Sequence, residues 1–200
     1  MGEPAALGFR SHSGWTAAVA VAGTPGNPII LDRRRIEIAD PAIRGSKQPF
    51  HAAEQLSFDK AEWLIRRCRD SSAVLALEAV KAMIAGLDQL GHRVRCAGLL
   101  SASGRVLPGL AAILQSHALI HTAEGEFFRD VLAEASRGCS LPLTKVQERV
   151  IWDRGATVFH LGSEDLQQRI NQLGRPLGPP WRQDEKLASL VAWIALAESA

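Results

Sequence analysis

At His51 the hydrophobic pattern of this chain changes from strand-like to helical, and that change limits what it can fold into. Before it, Ala5–Phe9 is short and apolar, Ser11-His12-Ser13-Gly14 supplies turn residues, and Trp15–Ala22 resumes as an apolar run rich in Val and Ala. That arrangement predicts a hairpin. Gly23-Thr24-Pro25-Gly26-Asn27-Pro28 marks a second turn. Ile29–Ala39 then predicts a third strand, its later part alternating Ile36 and Ile38 against Arg35 and Glu37. The polar segment from Asp40 to Pro49 reads as a connection.

After it, apolar residues recur at spacings of three and four. Ala52–Arg69 and Ser72–Leu90 predict two helices, the second through Ala73, Val74, Leu77, Val80, Ile84 and Leu87. Ser71 or Ser72 serves as N-cap between them, and Gly91 as the residue just past the end. Val94–Leu100 reads as a buried strand, Leu107–Arg137 as a long helix with Pro108 in its first turn, and Leu141–Ile151 as a strand. Glu164–Leu173 is a short helix, Gly174–Pro180 a link, and Asp184–Glu198 a last helix capped by Asp184 and apolar on more than half its circumference. The order predicts an α/β fold in a single domain over residues 1–200: a mixed sheet with an antiparallel N-terminal three-strand hairpin unit and flanking helices. Two hundred residues, 46% of them hydrophobic, suffice for a sizeable core.

A net charge of +2 is too small for the global field alone to indicate nucleic acid. Cys68, Cys96 and Cys139 form no Cys-x-x-Cys pair, which points to reduced, mostly buried thiols. No apolar run approaches the roughly eighteen residues of a membrane span, so no membrane partner is expected and cytoplasmic localisation is.

The densest chemical signal lies between Ser116 and Asp130, where His117, His121 and Glu124 share one helical stripe beside Ile113, Leu119, Ile120, Ala123 and Phe127. The spacing suits one helix giving several ligands to zinc or a similar metal, without being the His-Glu-x-x-His arrangement. It equally suits histidines satisfied at a core edge, or an acid/base pair in which Glu124 orients His121. Arg33, Arg34 and Arg35 alternate between strand faces, so they protect an edge as well as they would contact phosphates.

The element order, together with Leu7-Gly-Phe-Arg-Ser-His-Ser-Gly-Trp-Thr-Ala-Ala-Val-Ala-Val21, resembles the ribonuclease H-like superfamily, including its Holliday-junction-resolvase-like and actin-like ATPase members. The resemblance implies a phosphate or metal site where the first strand turns into the second. Its nucleases carry acidic residues on the first strand, near the end of the fourth and on a late helix. Here the corresponding stretches hold Phe9, Arg10 and Ser11, then Leu99, Leu100 and Ser101, and only Asp184 with Glu185 stands where a late-helix acid belongs. One acid does not assemble a two-metal centre. The resemblance places Arg10, Ser11, His12 and Ser13 at the same end of the sheet as Ser101, Ser103 and Arg105, a set of donors suited to an anion.

Three readings follow. The first is binding of a phosphate-containing small molecule or nucleic acid at that end, by a ribonuclease H-like domain with a non-standard site. The second is a metal-assisted hydrolase using His121, Glu124 and Asp184, with a divalent metal as candidate cofactor. The third is an interaction protein without a catalytic site. An oligomer is compatible with each.

Overall fold

The computed structural model describes residues 2–102, 104 and 106–199. Strands β1 (Glu3–His12), β2 (Trp15–Thr24) and β3 (Asn27–Glu37) form an antiparallel meander, as the turn chemistry predicts. The first strand runs three residues beyond its expected end, because the ladder continues through Ser11↔Thr16 and His12↔Trp15 and leaves only Ser13-Gly14 for the turn. Short helix α1 (Pro49–Ala53) and helix α2 (Phe58–Gln89) lead to β4 (His92–Ser101), which pairs parallel to β1. Helices α3 (Leu110–Leu114) and α4 (His117–Gly138) then lead to β5 (Leu143–Gln147), parallel to β4. Helices α5 (Ile151–Phe159), α6 (Ser163–Leu173) and α7 (Gln183–Glu198) complete the chain. The sheet order is β3-β2-β1-β4-β5, the mixed α/β arrangement expected.

Four local expectations are corrected. The predicted helix pair is one 32-residue helix, α2, without a break at Ser71-Ser72. Serine is only mildly unfavourable inside a helix; here Ser71 donates to Asp40 Oδ2 at 2.9 Å, tying the 40–48 connection down, and Ser72 is buried in the helix's inner face. The predicted long helix 107–137 is two, because Ser116 adopts an extended backbone (φ −134°, ψ 111°) and α4 starts afresh after it. The strand expected to reach Ile151 stops at Gln147, and Ile151 opens α5, a helix that short apolar runs do not distinguish from strand. Asp184 does not cap α7. Arg182 holds the cap position and its N–H donates to Glu185 Oε2 at 2.8 Å, while Asp184 lies in the first turn.

Helices α2 and α4 cover one face of the sheet, burying Leu7, Phe9, Ala18, Ala20, Ala97 and Leu99 from the strands against Val80, Met83, Phe127, Phe128 and Val131. Helix α7 covers the other, against Ala6, Val19, Val21, Cys96 and Leu100, with α5 and α6 outside it. Sandwiched in this way, α7 buries ten consecutive residues from Leu187 to Leu196. This is why the period of its sequence is blurred.

Its seat is a trough of missing side chains. Gly8 of β1 and Gly98 of β4 are register partners at the centre of the sheet. A Cβ on Gly8 would fall 1.9 Å from the Ala188 carbonyl oxygen, and one on Gly98 2.3 Å from that of Val191. Since the obstacle is helix backbone, no rotamer change relieves it. Gly98→Val or Gly8→Ala is therefore expected to lower the unfolding free energy by at least about 2 kcal/mol, read from urea midpoints. A midpoint equal to that of the parent chain would show that α7 does not lie against these glycines.

Candidate functional site

Three parallel strands, β1, β4 and β5, end at the same edge of the sheet, and the N-terminus of α7 arrives there from one face. Open α/β sheets commonly bind ligands beyond the carboxyl ends of their strands. Alternation along β1 sends Gly8, Arg10 and His12 toward α7 and Phe9 and Ser11 to the opposite face.

The result is a charge cluster at the end of β1. Arg10 is bidentate to Glu148, with Nε donating to Oε2 at 3.2 Å and Nη2 to Oε1 at 2.7 Å. Its Nη1 donates to Asp184 Oδ1, and His12 Nε2 reaches the same carboxylate oxygen at 2.7 Å. The His12 ring stacks on its cross-strand neighbour Trp15, centroids 4.2 Å apart and planes 11° from parallel. The Arg35 guanidinium lies 3.7 Å from the Trp15 centroid. Arg35, Trp15, His12, Asp184, Arg10 and Glu148 thus form one continuous chain of contacts from the edge strand to the end of β5.

Burial works against the charge of Arg10, but its hydrogen bonds to Glu148 and Asp184, and their charges, outweigh it and raise its pKa. Burial likewise opposes ionisation of Asp184, yet the hydrogen bonds and charges of His12 and Arg10 win and hold its carboxyl below the usual range. The guanidinium sets one positive charge between the two carboxylates of Asp184 and Glu148. Both carboxylates are already turned to it.

Of the residues expected to bind an anion, Arg10 and His12 are in this cluster. Ser11 is not: its Oγ is buried on the other face, without a hydrogen bond among the described residues. Alternation along β4 puts Ser101 on that face too, with Leu99. Ser13 is exposed in the hairpin turn, and Ser103 and Arg105 lie outside the described residues. Glu148 was not singled out from the sequence. Its signal was its position just after a parallel strand, hidden because the strand was expected to run past it.

His121 and Glu124 are on α4, under the face opposite α7, so they do not meet Asp184. Glu124 is buried, and its Oε1 accepts the N–H groups of Phe50 and His51 at 2.7 and 3.0 Å and stands 3.2 Å from His51 Nδ1. Burial raises its pKa in spite of these hydrogen bonds and the charge of His51. In the core nearby, burial above all, with the Glu124 charge second, pushes the Cys68 thiol up to about 11, so this cysteine is no nucleophile. Cys96 is buried as well, and no cysteine is in a disulfide.

The basic strand β3 divides as alternation requires. Arg33 lies on the α7 side and donates to the carbonyl oxygens of Leu177 (3.2 Å), Gly178 (2.9 Å), Pro179 (2.9 Å) and Pro180, tying the segment before α7 to the sheet. Arg34 is on the α2 side and pairs with Asp32 at 2.6 Å.

No protein-family model matches the sequence, and neither does any curated protein. Among solved structures the chain is similar to RuvC of Thermus thermophilus in complex with a Holliday junction substrate, at a TM-score of 0.53 and 10% identity over 95% of this chain and 90% of that one. It is similar also to another Thermus thermophilus RuvC structure, at a TM-score of 0.52 and 12% identity over 95% of this chain and 92% of that one. The chain has a ribonuclease H-like fold, as the order of its elements suggested. No helix among the described residues is long and apolar enough to cross a membrane.

The depressed pKa of Asp184 makes a stability prediction with a definite sign. A group whose folded pKa lies below its unfolded value contributes stability above the unfolded value and loses it as the pH falls through the folded one. Asp184→Asn is therefore expected to destabilise the protein near pH 7, with the gap to the parent chain narrowing only as the pH falls below the ordinary carboxylate range, about 4, toward the lowered folded value. Urea unfolding across this pH range measures it, and a gap that stays constant would show that the carboxylate's pairing contributes nothing.

Proposed function

We propose that this chain binds nucleic acid at the edge where β1, β4 and β5 end, as a ribonuclease H-like domain whose site works by charge pairing rather than by gathering metal ions. The observation that carries the reading is the Arg10 cluster with its basic rim. Flanking this cluster along the chain and the hairpin are Arg35, over Trp15 and paired with Glu37 at 2.7 Å, Lys47, packed under the Gly14 turn, Arg149, next to Glu148, and Arg182, at the start of α7. Phosphate oxygens compete with Glu148 and Asp184 for the Arg10 donors and meet the rim cations outside them. The similarity to a RuvC that holds a Holliday junction substrate supports this choice of ligand over a small phosphorylated molecule. Trp15 already carries His12 and Arg35, so backbone charge rather than base stacking provides most of the binding.

Fluorescence anisotropy with labelled four-way junction, duplex and single-stranded DNA tests the proposal. At about 50 mM salt, binding is expected to weaken steeply as salt rises, and Lys47→Glu with Arg182→Glu should weaken it about tenfold or more. Added magnesium or manganese should leave the bound DNA uncut, because both carboxylates are held by Arg10. The proposal falls if no DNA binds at low salt, or if the double variant binds as tightly as the parent chain.

A further inference from the structure

On the opposite face from the Arg10 cluster, three imidazoles converge where α1 meets α4. His117 and His121, one turn apart on α4, bring their Nε2 atoms to 3.0 Å. The His51 ring lies 4.7 Å from that of His121 and 5.6 Å from that of His117, centroid to centroid. One ring nitrogen from each residue falls within 4.8 Å of those of the other two. Three nitrogens on a common ion with metal–nitrogen bonds of 2.0–2.1 Å stand about 3.3 Å apart in tetrahedral geometry, so small rotamer adjustments bring these into place.

We propose that His51, His117 and His121 bind one divalent ion of the zinc class, with Glu124 as the carboxylate that orients the first of them. Imidazole sets of this kind suit zinc, cobalt, nickel or copper and not magnesium or calcium, which take oxygen ligands. The support comes from behind the rings. Glu124 Oε1 is 3.2 Å from His51 Nδ1, which leaves Nε2 of His51 for the ion, the carboxylate–histidine–metal pattern that fixes tautomer and ring orientation. Glu54 Oε1 stands 3.9 Å from His117 Nδ1, on the ring atom turned away from His121.

A second observation points the same way. The Glu124 side chain is 4% exposed, and its Oε2 is buried with no hydrogen-bond partner among the described residues. A carboxylate with an unsatisfied oxygen in the core is costly unless a compensating charge stands nearby. An ion on His51 supplies that charge across one ring. His117 and His121 are exposed, so a fourth position faces solvent and takes water, as in metal sites that keep an open ligand position. The ion would join α1 to α4, two elements far apart in sequence.

The test uses the tag-free full chain, stripped with chelator and titrated with zinc by calorimetry and with cobalt by visible spectroscopy. One equivalent of zinc and the strong visible bands of low-coordinate cobalt are expected. His117→Ala and His121→Ala, on the exposed side of α4, should each weaken zinc binding at least tenfold, whereas His160→Ala should not change it. Glu124→Gln should weaken it about 10–100-fold, with circular dichroism confirming that it folds. Absence of stoichiometric zinc binding by the parent chain, or unchanged affinity in His121→Ala, overturns the assignment. DNA binding by the opposite face is unaffected by either result.

Discussion

The close approach of α7 to the sheet is the contact on which the remaining structure depends. Two glycines in adjacent parallel strands let helix backbone sit where side chains would otherwise be. Ten consecutive buried residues then hold the helix there. Each large apolar side chain contributes about 1.5–3 kcal/mol, whereas the partly exposed ion pairs of the Arg10 cluster contribute no more than about 1 kcal/mol apiece. Burial therefore seats α7, and the ion pairs select which of its first-turn groups face the strands. Arg33 adds a clamp on the segment immediately upstream.

With α7 in place, the two-residue period of β1 separates two chemistries. Even-numbered residues at its end meet Asp184 and Glu148; odd-numbered ones turn toward the α2 and α4 side. The sheet thus carries a cluster of paired charges at the edge facing α7 and, on its other side, a histidine cluster built between α1 and α4. Neither borrows a residue from the other. His12 belongs to the first and His51, His117 and His121 to the second, although His12, His51 and His117 each stand beside a carboxylate.

The fold was readable because its signals are local. Gly-rich turns, a short alternating segment and runs of three-and-four spacing identify strands and helices one at a time, and right-handed parallel crossovers restrict how they combine. Errors fell where local signals conflict. Ser71-Ser72 carries cap chemistry inside a helix that packing keeps continuous, and the run after Leu141 has too little length to reveal that strand becomes helix at Glu148. Of the site, Arg10, His12 and Asp184 could be suspected from their positions. That the bend after Phe9 and Asp184 share one end of the sheet followed from the resemblance; the hydrogen bonds between them did not, since 172 residues separate His12 from Asp184.

By itself, the sequence determined most of the segments that are strand or helix and which of their faces are apolar. Only the tertiary structure decided that Arg10 is held between Glu148 and Asp184, and that Glu124 serves His51 rather than His121. The reason is physical: hydrophobic period and turn chemistry act over a few residues, but a hydrogen bond between distant elements exists only after the whole core has fixed the distance between them.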